Sequence, residues 1–267
     1  MTDRYAVIGN PVAHSRSPWI HAQFARQTGE DISYEPLLAP LGDFAATVAV
    51  FGETGGRGAN VTLPFKEEAF ALSTQLSERA RAAQAVNTLV LSADGVRGDN
   101  TDGYGLVSDL TANLGFAIEG RRILLAGAGG AARGVLLPLL GERPSALVIA
   151  NRDVAKARAL ADGFAGVTAC GYADLGGERY DLVINATSAS LSDAVLPLPT
   201  GIYSAGSRAY DMVYGRETAF MRQARAAGAA HISDGTGMLV EQAAESFFLW
   251  RGVRPATAPV LAALRAG

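Results

Sequence analysis

Short apolar runs alternate along this chain with segments whose apolar residues recur at helical spacing, the rhythm of an α/β protein. Residues 123–126 form an apolar run that reads as a buried strand. It leads straight into Gly127-Ala128-Gly129-Gly130-Ala131-Ala132, an apolar helix over 135–140 and a further strand over 146–150. Nearer the start, 5–8 is a short strand broken by Gly9-Asn10-Pro11. A helix over 19–27 follows, with Ser17 as its cap, Pro18 in the first helical position and Ile20 and Phe24 as its apolar stripe. The pattern then predicts a strand over 34–37, a helix over 41–51, a glycine-rich loop over 52–58 and a short strand closed by Val61. A helix starts at Pro64 and runs to about residue 72, and 84–90 passes from a helix end into a strand. The polar stretch 98–105 connects to a helix over 106–114. Later strands fall at 181–184, 210–213 and 231–233, with a helix over 218–227. From Met238 a last helix carries Leu239, Ala243, Phe247 and Trp250 at helical spacing.

The length of 267 residues admits one large or two modest domains. A hydrophobic content of 49% with 18% charged residues is that of a chain that builds a core. The net charge of −3 argues against a general nucleic-acid surface, and no uninterrupted apolar run of about 18 residues is present to span a bilayer. A single cysteine, Cys170, excludes an internal disulfide and suits a reducing cytoplasm, and no export signal opens the chain. Neither nucleic acid nor membrane is expected as a partner, and no metal site is expected.

The glycine turn fits the dinucleotide-binding fingerprint, with alanine in the last place, where the rule allows it. Gly127 permits the tight turn, Gly129 lets the backbone approach a pyrophosphate, and Ala132 lets the helix sit close to the strand. The amides at the helix start face the phosphate charge. The choice of cofactor rests on the end of the next strand, about 20 residues on, where an acid would select a bare ribose 2′-hydroxyl. Here the chain reads Asn151-Arg152-Asp153-Val154-Ala155-Lys156. Arg152 and Lys156 offer positive charge to a 2′-phosphate and Asn151 a neutral amide. Asp153 reads two ways, as a cap for the following helix or as a charge that repels phosphate and favours NAD. NADP is the expected cofactor.

Ser15 and Ser17 place two hydroxyls beside an amide-rich helix start, where they could hold a carboxylate, although a capping role alone would account for Ser17. His14 and His21 have no acid neighbour that marks them as bases. Lys66 falls in the first turn of its helix, where the dipole disfavours a cation by roughly 0.3–1 kcal/mol, a setting suited to proton exchange. Glu67 and Glu68 offset that cost for the helix. A surface lysine is the plain alternative. Asp102 suits a turn or helix start, or it could pair with Lys66 over one substrate hydroxyl.

Taken together, several segments resemble the signature of the shikimate dehydrogenase family. They are Gly9-Asn10-Pro11 with His14-Ser15-Arg16-Ser17-Pro18, Asn60-Val61-Thr62-Leu63-Pro64-Phe65-Lys66, Ala85-Val86-Asn87-Thr88 and Gly98-Asp99-Asn100-Thr101-Asp102-Gly103. The glycine turn, Ile184-Asn185-Ala186-Thr187-Ser188, Tyr210-Asp211-Met212-Val213-Tyr214 and Gly235-Thr236-Gly237-Met238-Leu239-Val240-Glu241-Gln242-Ala243-Ala244 follow in the family's order. Together they cover nearly the whole chain.

The resemblance implies reversible NADP-linked oxidation of shikimate to 3-dehydroshikimate, a step of aromatic amino-acid biosynthesis. Ser15 and Ser17 would then hold the substrate carboxylate, while Thr62, Asn87, Lys66, Asp102 and Gln242 would bond the ring hydroxyls. Tyr214 would border substrate and nicotinamide. Lys66 and Asp102 would be the catalytic pair, with Lys66 the expected proton donor. Gly127, Ala128, Gly129, Gly130, Ala131, Asn151, Arg152, Lys156, Thr187, Ser188, Met212 and Gly235 would hold the cofactor. Two α/β domains are implied: a substrate domain of residues 1–102 and 237–267, and a Rossmann-like, doubly wound nucleotide domain of residues 103–236. The active site is expected in the cleft between them, in a cytoplasmic monomer or homodimer. The family commonly has threonine where this chain has Asp153, so an NAD-accepting quinate/shikimate dehydrogenase is the nearest alternative. A non-catalytic NADPH sensor on the same fold is the other.

Overall fold

The apolar run after Arg4 becomes an inner strand because both of its sides are covered. Tyr5, Ala6, Val7 and Ile8 are all buried, as parallel neighbours on either edge require. In the computed structural model, which describes residues 2–266, this strand is β1 (Asp3–Gly9). Met1 and Gly267, the outer limits drawn for the substrate domain, lie outside the described residues. The chain then forms α1 (Ser17–Thr28), β2 (Ile32–Leu38), α2 (Phe44–Glu53), β3 (Gly56–Val61), α3 (Lys66–Leu72), β4 (Gln75–Leu76), α4 (Glu78–Ala83), β5 (Thr88–Ser92) and β6 (Gly95–Asp99). Their sheet runs β2-β1-β3-β5-β6-β4, with β5 antiparallel to both β3 and β6. Ile8, Phe44, Phe51, Phe65 and Leu89 fill its core.

The second sheet follows α5 (Asp102–Ser108) and a π turn, Asp109–Asn113. It is built from β7 (Arg122–Ala126), α6 (Gly130–Gly141), β8 (Ala146–Ala150), α7 (Val154–Ala161), β9 (Val167–Cys170), β10 (Tyr180–Asn185), β11 (Tyr203–Asp211), α8 (Ala219–Ala226) and β12 (His231–Ser233). All its strands are parallel, in the order β12-β11-β10-β7-β8-β9. This is the doubly wound order, which reverses between β7 and β10 and leaves a ligand crevice beyond their carboxyl ends. Side chains of β7 alternate accordingly, Ile123 and Leu125 into one apolar cluster and Leu124 and Ala126 into the other. The chain ends with α9 (Thr236–Arg251) and α10 (Ala258–Ala266). It divides into a unit of Met1–Gly105 with Val240–Gly267 and a unit of Leu106–Leu239, the divisions falling inside α5 and α9. Among the described residues no helix is long and apolar enough to cross a membrane.

Local chemistry departs from the sequence pattern in several places. Arg16, not Ser17, stands at the cap position of α1, and Ser15 Oγ receives the Ser17 amide at 3.2 Å, so Ser17 becomes the first helical residue. Pro64 precedes α3, whose first residue is Lys66. Residues 56–58, expected in a loop, open β3. A Cβ at Gly56 would lie 2.4 Å from the Phe51 ring, and one at Gly58 would lie 2.5 Å from Trp250 Nε1. These glycines answer to packing rather than to a turn. The strand expected to begin at Tyr210 begins at Tyr203 and ends at Asp211, so Met212 and Val213 stand in the turn beyond it. The helix expected from Met238 begins at Thr236, whose amide and hydroxyl both bond the Asp234 carboxylate.

Candidate active site

Lys66 is brought to its place by its own backbone, because its carbonyl takes the amide of Val86 at 2.9 Å as the chain enters β5. On the neighbouring strand end, Asn87 N bonds Asp99 O at 3.0 Å and Asn100 Nδ2 bonds Ala85 O at 3.1 Å. The Asn100 side chain also takes the Asp102 amide at 3.1 Å, which aims Asp102 at the same corner. The outcome is an ion pair: Lys66 Nζ lies 2.5 Å from Asp102 Oδ2, with side chains 28% and 14% exposed. The other carboxylate oxygen, Oδ1, accepts from Asn87 Nδ2 at 2.8 Å. Each Asp102 oxygen thus has its own donor, a charge-assisted arrangement that fixes the carboxylate while leaving the lysine ammonium open on one side.

Gln242 joins this group from α9. Its Oε1 lies 3.4 Å from both Asn87 Nδ2 and Thr101 Oγ1. Behind it Asp99, 3% exposed, accepts from Ser77 Oγ and Arg79 Nε, each at 2.6 Å. Arg79 also holds Glu245 at 2.7 Å, and Glu245 holds Arg254 at 2.7 Å. This ionic ladder ties α9 to the loop that carries Asp102. Thr62 stands four residues before Lys66, its amide on Ile8 O at 2.9 Å, and Gly9 leaves room for its methyl. Ser15 and Ser17 make a separate pair at the start of α1. His14 is exposed, whereas His21 is wholly buried against Tyr34, Phe24, Phe247 and Trp250.

In the other unit, Gly127 has φ of +114°, a conformation costly for any residue with a Cβ. A Cβ there would also meet Ala186 backbone atoms at 3.1 Å, whereas at Gly129 and Gly130 it would find open space. Gly129 occupies the cap position of α6 with no side-chain cap, so the first-turn amides face outward, a fit for pyrophosphate. Asp153 caps α7, its Oδ1 accepting the Lys156 amide at 3.2 Å. Asn151 Nδ2 bonds Asp153 O at 2.9 Å, and Arg152 is exposed beside them. Asn185 Oδ1 takes both the amide and the hydroxyl of Thr187, at 3.0 and 2.7 Å, and Ser188 opens the short turn that follows. Met212 N bonds Asn185 O at 3.1 Å. A Cβ at Gly235 would lie 2.3 Å from Met212 O, so these residues crowd one strand edge. Tyr214, just beyond, is 39% exposed.

Sequence reasoning missed Asp211. This buried carboxylate receives Ser190 Oγ at 2.5 Å, Thr218 Oγ1 at 2.6 Å, Val213 N at 3.0 Å and Asn185 Nδ2 at 3.3 Å. Its signal was a lone acid inside the apolar run 209–213, an expensive place for a charge without partners. Thr101 was quoted within a motif and given no role, although its hydroxyl reaches Asn87 and Gln242.

Comparison with known proteins gives three family matches along the chain. Residues 7–89 match the shikimate dehydrogenase substrate binding domain, 110–193 match shikimate / quinate 5-dehydrogenase, and 235–265 match the shikimate 5'-dehydrogenase C-terminal domain. The shikimate dehydrogenase (NADP(+)) of Nitrosospira multiformis is 61% identical over 269 residues, 99% of this chain and 98% of the relative. A crystal structure of an Ael1 enzyme from Pseudomonas putida superposes with a TM-score of 0.94 at 47% identity, covering 98% of each chain. That of Thermus thermophilus shikimate 5-dehydrogenase, in complex with NADP(H) and shikimate, gives 0.88 at 34% identity over 99% of each.

Proposed function

Given that the chain belongs to the shikimate dehydrogenase family, we propose that it catalyses the reversible, NADP-dependent reduction of 3-dehydroshikimate to shikimate, in aromatic amino-acid biosynthesis. The observation that carries the reading is the Lys66–Asp102 pair, with Asn87 on the second carboxylate oxygen. A non-catalytic nucleotide sensor would have no use for a lysine held in that way.

Bound NADPH supplies the hydride that reduces the ketone carbon. The chain's own work is with the proton. Lys66 Nζ carries it and gives it to the oxygen that becomes an alkoxide, then regains one from water; in oxidation the neutral amine takes the hydroxyl proton. Asp102 holds the ammonium in position and accepts from the substrate hydroxyl. Asn87, Gln242 and Thr62 orient the ring hydroxyls, Ser15 and Ser17 receive the carboxylate, and Tyr214 borders the reacting ring. Gly127, Ala128, Gly129, Gly130 and Ala131 receive the pyrophosphate on backbone amides. Arg152, Asn151 and Lys156 take the 2′-phosphate. Thr187, Ser188, Met212 and Gly235 line the nicotinamide end. Because Asp153 spends its carboxylate on the α7 amide, its charge opposes the phosphate less than a free acid would.

The small-molecule chemistry, the net charge of −3 and the single cysteine support a cytoplasmic enzyme without nucleic-acid partners. Purified protein given shikimate and NADP⁺ should produce the NADPH absorbance band, and NAD⁺ should serve less well. No absorbance rise with shikimate would defeat the reading.

A further inference from the structure

Behind Asp102, Asn87 leads into a buried row of polar side chains to which the mechanism above gives no part. Thr88, Thr101 and Ser246 are fully buried, and Asn87 and Asn60 are 2% and 6% exposed. Some of their protons can be placed by elimination. The Thr101 amide, which can only donate, lies 2.9 Å from Asn87 Oδ1, so that amide oxygen faces inward and Nδ2 faces Asp102. Thr88 Oγ1 lies 2.9 Å from the same oxygen, which can only accept, so Thr88 is the donor of that bond. Thr88 Oγ1 and Ser246 Oγ are paired at 2.8 Å, a bond either hydroxyl can donate, and Ser246 Oγ also reaches the Gln242 carbonyl at 3.0 Å. Asn60 Nδ2, oriented by the Asn87 carbonyl at 3.2 Å, donates to Ser246 Oγ at 2.9 Å. The Tyr34 hydroxyl donates to Asn60 Oδ1 at 2.7 Å.

The row is thus unbroken from Tyr34 through Asn60, Ser246, Thr88 and Asn87 to Asp102 Oδ1, the oxygen that Lys66 does not take. Buried polar rows of this kind hold one arrangement when every member is satisfied and lose it when one is removed. We propose that Ser246 and Thr88 are positioning residues for the reaction: their paired hydroxyls hold the Asn87 amide against Asp102 and lock Gln242, one turn before Ser246 on α9, into the same frame. This deepens the functional reading above and rests on it.

The test uses the full chain with Thr88→Val, which keeps the shape and deletes the hydroxyl, Thr88→Ser, which restores it, and Ser246→Ala. Thr88→Val and Ser246→Ala should each lower kcat about tenfold with the KM for NADP⁺ unchanged, and Thr88→Ser should stay within about twofold of the parent. Crystal structures of the first two should show the Asn87 amide displaced from Asp102. Parental kcat in both deletions, an Asn87–Asp102 bond intact in both structures, or an equal loss in Thr88→Ser would overturn the proposal. If Thr88→Val does not fold, Ser246→Ala carries both readouts. A parent inactive on shikimate would defeat the functional reading instead, and the crystallographic comparison would still decide the positioning claim.

Discussion

Acidification from pH 7 to pH 5 should destabilise this protein through His21. The imidazole is wholly buried, stacked on Tyr34 at 4.2 Å and ringed by Phe24, Phe247 and Trp250. Neither ring nitrogen makes a hydrogen bond of good geometry among the described residues, and the Asn60 side chain offers a weaker contact that opposes burial only in part. Burial lowers its pKa from the usual 6.5 to about 3. The folded chain thus keeps His21 neutral while the unfolded chain protonates it below 6.5, so this contribution is complete above that pH and is lost as pH falls toward 3. Each pH unit in that window costs about 1.4 kcal/mol, so the 1.5 units between 6.5 and 5 cost about 2 kcal/mol. The assay is thermal and urea unfolding at pH 7 and pH 5, in the parent and in His21→Leu. All other titrating groups are common to both chains, so the pH-induced loss should be smaller in the variant by about 2 kcal/mol. Equal losses in the two chains would refute the burial argument.

Three further outcomes follow from the unit of Leu106–Leu239. Asp211→Asn leaves two hydroxyls and the Val213 amide without their charged acceptor; the KM for NADP⁺ should rise about tenfold while that for shikimate stays unchanged, as steady-state kinetics would measure. Arg152→Ala should weaken NADPH binding about tenfold or more in a fluorescence titration and leave NADH binding unaltered, and equal losses would remove Arg152 from the 2′-phosphate. Asp153→Thr keeps a capping oxygen and removes a charge, so the ratio of kcat/KM for NADP⁺ over NAD⁺ should rise, and a fall would reverse the role given to Asp153.

The pairing of Lys66 with Asp102 was legible because each sits in a short segment whose residue types carry the chemistry, although 36 residues separate them. The glycine turn was legible for the same reason, since Gly127 is demanded by local backbone conformation. What could not be read depends on distant neighbours. Gly56 and Gly58 look like loop residues until Phe51 and Trp250 are packed over them. Ser17 looks like a cap until Ser15 takes its amide. Whether Asp153 caps α7 depends on where Lys156 N lies, which spacing allows but does not fix. Asp211 stands in a signature segment without a role of its own and Ser246 stands in none, and only the strand ends and helix turns that meet around them make their oxygens hubs.

The central claim is that Lys66 carries the proton, and single-turnover and steady-state rates of Lys66→Ala with shikimate and NADP⁺ test it most directly. Loss of general acid–base assistance predicts turnover reduced by about 10²–10⁴-fold, with NADPH binding retained. Near-normal turnover in a folded, cofactor-binding variant would contradict the account.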